Sequence, residues 1–358
     1  MTNFLKDILR QPSELQRSLA YLTGPGKDTV ESATSLLKSA SQIFLTGIGS
    51  SWHAAMTATT IFYDAGRPVY LIDSAELLHF SELPHGSVII MLSRSGRSIE
   101  IVRLLFKART SGAKVIALTN SADSPLAREA DIPIVVQVDF DHGISVNTYS
   151  TLALAAGVLA SHVVGQFDEE VKSKLSSALA STDEAVRLWR GEIDRSHWLT
   201  PEASYYFLAR GSSLGTCHEA RLLWEEGVKR PATAMGTGAF RHGPQEIATG
   251  QLHFGIWIDG EKMRDEDLAV ARDLSRLGAH VMLVGQDLPE TAAELVFQLP
   301  RIPAKWQFVI DAIPGQLAAE RLSQLSQVDC DSFRICSYIV EDEGGLLRAE
   351  DAVGEHVG

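Results

Sequence analysis

Two stretches of this chain repeat each other. Ile43-Phe-Leu-Thr-Gly-Ile-Gly-Ser-Ser51 and Tyr206-Phe-Leu-Ala-Arg-Gly-Ser-Ser213 are each a short apolar run that enters Gly-Ser-Ser. The correspondence continues downstream. Ser87-Val-Ile-Ile-Met-Leu92 matches His253-Phe-Gly-Ile-Trp-Ile258. Val115-Ile-Ala-Leu-Thr119 matches Val281-Met-Leu-Val-Gly285, each behind an amphipathic segment and a glycine, Gly112 or Gly278. Short unbroken apolar runs alternating with helical segments are what strands buried on both faces of a parallel sheet look like. The repeat therefore predicts an α/β chain with two tandem doubly wound, mostly parallel-sheet domains and flanking helices. Strands are expected at 42–47, 68–72, 87–92, 115–119 and 133–137 in the first copy. In the second copy they fall near 205–209, 254–258, 280–285 and 295–299. Residues 1–40 read as leading helices, 41–166 as the first domain and 201–345 as the second. The charged segment 167–192, glycine-free until Gly191, makes 167–200 a helical connector, and 306–328 is a trailing helix. Residues 346–358 read as a solvated tail.

Sheets of this kind bind ligands at the carboxyl ends of their strands. Two loops fall there. Ser93-Arg94-Ser95-Gly96-Arg97-Ser98 follows the run 87–92 and precedes a helix marked by Ile99, Val102, Leu105 and Phe106. Its serines offer hydroxyls, Gly96 allows a close backbone approach, and the helix start supplies free N–H groups. Gly47-Ile-Gly49-Ser50-Ser51 repeats the pattern on the first strand. Such loops also simply cap helices and make turns, but two at adjacent strand ends favour an anion site. Arg94 is a further candidate for the anion, and Arg97 is expected in solvent. A P-loop needs Gly-Lys-Ser/Thr, which is missing. A dinucleotide fingerprint is met by Gly47, Gly49 and a following Asp73, yet Trp52 stands at its third glycine, leaving nucleotide binding a weak alternative.

The net charge of −13 argues against nucleic acid, whose binders carry basic stripes. It also requires an anion to be held locally, by backbone N–H groups and hydroxyls. No apolar run reaches 18 residues, so no membrane span is expected. Met1 to Arg10 carries Asp7 and no apolar core, unlike a signal peptide. The three cysteines, Cys217, Cys330 and Cys336, have no zinc spacing and no disulfide pattern, which fits a reducing cytoplasm. No metal and no cofactor is expected.

The second copy replaces Ser93-Arg-Ser-Gly by Asp259-Gly-Glu-Lys, whose acid would repel phosphate, so one phosphate site per chain is expected. It supplies instead His218-Glu219 through Glu225-Glu226, then Gly238-Ala-Phe-Arg241-His242-Gly243-Pro244. Glu219 and Glu226, seven apart, share a helix face, and Glu225 points about 100° from Glu226. A carboxylate near neutral pH can move a proton between C1 and C2 of a sugar, and a histidine can shuttle a hydroxyl proton in ring opening. Carboxylates on a solvated helix face and a surface-loop histidine are the plainer alternatives.

At these residues the chain resembles the sugar isomerase domain (SIS) family, over nearly its whole length as two tandem domains. The motifs are Gly49-Ser-Ser51, Ser93 to Ser98, Glu219 to Glu226, and Phe240-Arg-His-Gly-Pro244. The layout is similar to the isomerase half of glucosamine-6-phosphate synthase and to ketose/aldose isomerase and amino-sugar deaminase relatives. The resemblance implies that Ser51, Ser93, Ser95 and Ser98 hold a sugar phosphate, with Ser50, Arg94 and Ser145 beside them. It implies Glu226 as the base for the C1–C2 proton, Glu219 in support, and His242 in ring opening, often reaching across a homodimer into a shared active site. Asn147 falls where a family serine contacts the sugar. Two family lysines are replaced: Leu223 stands at one position and Tyr338 at the imine-forming other. No glutaminase domain is found, so no glutamine amide donor is expected. The resemblance thus implies a phosphosugar aldose–ketose isomerase or amino-sugar-6-phosphate deaminase, acting on a small phosphorylated sugar. A non-catalytic sugar-phosphate sensor is the alternative.

Overall fold

The computed structural model describes residues 1–346. Helices α1 (Asn3–Leu22) and α2 (Lys27–Ser39) lead into β1 (Gln42–Thr46), α3 (Ser50–Asp64), β2 (Tyr70–Leu71), α4 (Ser74–Phe80), β3 (Ser87–Ser93), α5 (Ile99–Ser111), β4 (Lys114–Thr119), α6 (Pro125–Glu129), β5 (Ile132–Val135) and α7 (Asn147–Val163). The long α8 (Glu169–Arg195) follows. Then come β6 (Ser204–Ala209), α9 (Leu214–Leu223), β7 (Ala232–Gly236), α10 (Thr237–Phe240), β8 (Leu252–Trp257), α11 (Arg264–Arg276), β9 (His280–Gly285), β10 (Leu295–Gln298) and α12 (Ala312–Leu325). The strands form two five-stranded sheets, ordered β2-β1-β3-β4-β5 and β10-β9-β8-β6-β7. Every described pairing is parallel.

Alternation along the strands explains the layering. Ile43 and Leu45 enter a large central cluster, whereas Phe44 faces an outer one. Val88, Ile90 and Leu92 likewise face the centre, with Ile89 and Met91 outward. Successive side chains on a strand point to opposite faces, so a run that is apolar throughout must be covered on both. Helices α4 and α5 cover the outer face of the first sheet, with Leu77, Ile101 and Leu104. Helix α11 does so for the second, with Ala271 and Leu274. The inner faces of both sheets drain into one continuous core, which contains Phe207, Trp257 and Met282 from the second sheet and helix α7 almost whole. Close approaches need glycine there: a Cβ at Gly157 would lie 2.8 Å from Phe308.

The strand and helix expectations are met except in the second sheet. Its edge strand β7 was not expected; its residues are small and only half-buried, so no apolar run announces it. The expected connector is α8. The trailing segment divides into a short 3₁₀ turn, Ala304–Val309, and α12. Residues 347–358 of the expected tail lie outside the described residues.

Candidate functional site

Strand order reverses at β1 and β3. The chain leaves β1 toward β2 on one side, while β3 and β4 extend the sheet on the other. The crevice at such a switch point is where open α/β sheets bind ligands. Both serine loops lie there. Gly49 sits at φ +57°, and a Cβ at Gly47 would lie 2.6 Å from the Ser51 carbonyl carbon. Only glycine lets the chain fold back so tightly onto the first turn of α3. On β3, Gly96 sits at φ +61°, and a Cβ there would lie 2.3 Å from Ser124 Oγ.

These loops line a cavity of about 230 Å³ with Ser50, Ser51, Ser93, Arg94, Ser95 and Ser98 on its walls. Ser145 enters from the loop before α7, and Glu226 from the segment after α9. Ser93 Oγ accepts the Gly96 N–H at 3.0 Å, and Ser95 Oγ accepts the Arg97 N–H at 3.2 Å. Each hydroxyl thus uses a lone pair within the loop and keeps its own hydrogen to donate. Ser98 is the N-cap residue of α5 with its side chain uncommitted to the cap. Donating hydroxyls at a helix start suit an anion.

Glu226 is brought in by an irregularity. Helix α9 widens into a π-turn over Trp224–Val228, ended by Lys229 at φ +59°. A π-turn inside a helix re-aims its side chains, often at functional sites. Glu219 and Glu226 stay close enough for one carboxylate to act on the other. Glu219 is fully buried, while Glu226 is half-buried and borders the cavity. Burial first, and the nearby Glu219 carboxylate second, push the Glu226 carboxyl up to about 7. Glu225 turns away and pairs with Arg221 at 2.6 Å.

Glu219 is held from the neighbouring helix. Its Oε1 accepts the Ser50 hydroxyl at 2.8 Å, and its Oε2 lies 2.7 Å from His53 Nδ1. The contact depends on Gly215, where a Cβ would lie 2.4 Å from the His53 carbonyl oxygen. His218 stacks on His53 at 5.9 Å, and its imidazole is held down at about 4 by burial, with His53 and Arg221 adding to the effect. His53 was not among the expected residues. Its signal was present, since position 53 is three past Ser50 and shares that face of α3.

Three expected residues stand apart from the donor hydroxyls. Arg94 lines the cavity, but its guanidinium donates to the Gly143 carbonyl at 2.8 Å and the Tyr338 carbonyl at 3.2 Å, and lies 4.2 Å over the Tyr338 ring. It clamps the segment 333–340 across the cavity mouth, a wall that carries no periodic sequence signal. Asn147 is fully buried and does not line the cavity; its amide donates to the Asp7 carbonyl and to Asp141. Asp141 also accepts the N–H groups of Val146, Asn147 and Thr148, which fixes the loop that presents Ser145. His242 is exposed on a turn after α10 and lines no part of this chain's cavity. As for Arg97, it donates to the Asp123 carbonyl. Of the two residues expected to replace lysines, Leu223 is buried in the central core, and Tyr338 donates its phenol to the Asp141 carbonyl at 2.9 Å.

A roomier cavity of about 720 Å³ lies beside the ends of β8 and β9. Its cations are already engaged: Lys262 with Asp64, Lys305 with Gln166, and Arg264 with two carbonyls. It lacks the donor hydroxyls of the serine cavity. Among the described residues no helix is long and apolar enough to cross a membrane, and no group of His, Cys, Asp and Glu is placed to hold a metal ion.

Residues 36–161 match the model of the SIS domain. The chain is 24% identical over 330 residues to the glutamine–fructose-6-phosphate aminotransferase (isomerizing) of Pyrococcus horikoshii, covering 90% of this chain and 54% of that protein. The chain spans about half the length of the curated relatives it matches. Its fold is similar to the C-terminal domain of glucosamine-fructose-6-phosphate aminotransferase from Francisella tularensis, with TM-score 0.82 and 20% identity over 93% of this chain and 98% of the other. It is also similar to glucosamine-6-phosphate deaminase from Thermotoga maritima, with TM-score 0.79 and 19% identity over 95% and 99%.

Proposed function

From the premise that residues 36–161 of this chain are an SIS domain, we propose that it is an enzyme that moves a proton between C1 and C2 of a phosphorylated sugar. The observation that carries the reading is Glu226. A carboxyl held at about 7 borders the same cavity as a loop of donating serines. Ser51, Ser93, Ser95 and Ser98 hold the phosphate, and the sugar carbon chain lies toward Glu226. The Glu226 carboxylate takes the proton from the carbon beside the carbonyl, the electron pair moves to the carbonyl oxygen, and an enediol forms as that oxygen is protonated. Returning the proton to the neighbouring carbon, while the other enediol hydroxyl gives up its proton and becomes the new carbonyl, completes an aldose–ketose isomerisation. With an amino group at C2, the same transfer yields a ketimine, and water then releases ammonia, which is the deaminase outcome. A base with a pKa near the working pH is suited to both directions of transfer.

Tyr338 cannot form an imine, so the reading excludes a covalent lysine step at that position. We further propose that the enzyme acts as a homodimer. His242, exposed and away from its own chain's cavity, then serves ring opening in the cavity of the partner subunit. The test is proton NMR in deuterated water with fructose-6-phosphate, glucosamine-6-phosphate and tagatose-6-phosphate. Deuterium entering C1 or C2 supports the enzyme, and ammonia release alongside selects the deaminase. Binding without exchange would make the chain a sugar-phosphate sensor instead.

A further inference from the structure

The hydroxyls around the cavity are not chemically equivalent. Ser93 and Ser95 accept from loop N–H groups and keep their hydrogens. Ser50 does the reverse. Its hydrogen is given to Glu219 Oε1 at 2.8 Å. Glu219 is fully buried and cannot turn toward solvent, and its second oxygen is tied to His53 Nδ1 at 2.7 Å. A hydroxyl carries one hydrogen and two lone pairs. With the hydrogen committed to a carboxylate, Ser50 offers the cavity lone pairs only. A phosphate, which is all acceptor, gains nothing from such a group and is repelled by it.

We propose that Ser50 is a specificity-determining acceptor that receives an O–H or N–H of the sugar and makes no bond to its phosphate, with Glu219 and His53 as positioning residues that lock it in that state. This rests on the phosphosugar reading above, and it moves Ser50 out of the phosphate set to which the sequence assigned it. His53 matters because a carboxylate held at one oxygen can swing. Held at both, it keeps Oε1 on Ser50. His53 is itself almost fully buried and braced by the stacked His218 ring, so the lock has little freedom.

The test compares, by calorimetry on the full chain, the affinities for inorganic phosphate and for the phosphosugar that binds the wild type. Ser50→Ala should lower phosphosugar affinity about tenfold, the loss of one good hydrogen bond, with phosphate affinity unchanged. His53→Leu should give the same split, and His53→Asn, whose amide N–H can take the place of Nδ1–H, should restore most of it. Should His53→Leu not fold, Glu219→Gln serves: its amide can donate to Ser50, which frees the Ser50 hydrogen and erases the preference. Equal weakening of both ligands by Ser50→Ala would make Ser50 a phosphate ligand and overturn the proposal, leaving the phosphosugar reading intact. Equal behaviour of folded His53→Leu and His53→Asn would overturn the role of His53. A wild type that binds phosphate but no phosphosugar would remove the functional reading and this proposal with it.

Discussion

Glu226→Gln keeps the volume of the side chain and removes its basicity. Loss of a positioned general base costs about 10²–10⁴ in rate. Deuterium exchange at C1 or C2 should fall by that factor, with phosphosugar affinity nearly unchanged because the serine loops do the holding. The wild-type pH profile should show the same group. With the carboxyl at about 7, about one tenth of the molecules carry the base at pH 6 and about nine tenths at pH 8. Stability should move oppositely. A carboxyl raised in the folded state above its ordinary 4.5 makes the folded protein bind its proton more tightly. The resulting stability is full below about pH 4.5, is lost as pH rises to about 7, and stays lost above. The difference amounts to about 3 kcal/mol at most, reduced to about 2 by solvent at the partly exposed side chain. Glu226→Gln should therefore lack this decline and melt higher than wild type at pH 8, with no such gain at pH 4. Exchange by Glu226→Gln at the wild-type rate would refute the assignment of the base, and a wild-type rate flat from pH 6 to 8 would refute its environment.

Gly96→Ala should abolish phosphosugar binding and lower the melting temperature, because the new Cβ would meet Ser124 Oγ at 2.3 Å in a left-handed turn costing about 1–3 kcal/mol. Gly66→Ala, at φ +67° with nothing within 4 Å, is the control and should bind normally. Borohydride with a ketose phosphate should leave the wild type unmodified, and Tyr338→Lys should acquire a covalent adduct visible by mass spectrometry. Mixing refolded Glu226→Gln and His242→Ala chains should recover about a quarter of wild-type activity if each cavity takes His242 from the partner subunit, because half the dimers are mixed and each has one intact site. No recovery would mean that His242 acts only in its own chain's cavity, and full activity of His242→Ala alone would place it outside the reaction.

The sequence disclosed most of the fold because strands buried on two faces are written as unbroken apolar runs, and Ile43–Thr46 and Val88–Leu92 could hardly be anything else. Strand β7 escaped because an edge strand of small half-buried residues has no such signature. The serine loops were legible for a local reason: glycine at φ +57° and +61° and hydroxyls beside it are a backbone requirement visible in the residues themselves. What depends on long-range packing was not legible. The spacing of Glu219 and Glu226 predicted two neighbouring carboxyls, but not the π-turn at Trp224–Val228 nor the burial of Glu219. Arg94 looked like a phosphate ligand until Gly143 and Tyr338, both remote in sequence, gave it two carbonyls and a ring to hold. Asn147 sat at a promising position, but Asp7 and Asp141 claim its amide.

Calorimetric titration of the wild type with fructose-6-phosphate and with fructose, repeated on Ser95→Ala, tests the serine cavity most directly. The phosphosugar should bind, the free sugar should not, and Ser95→Ala should weaken the phosphosugar by about tenfold, the share of one donor to a charged group. Equal binding of sugar and phosphosugar, or affinity untouched by Ser95→Ala, would mean that the phosphate is held elsewhere or not at all.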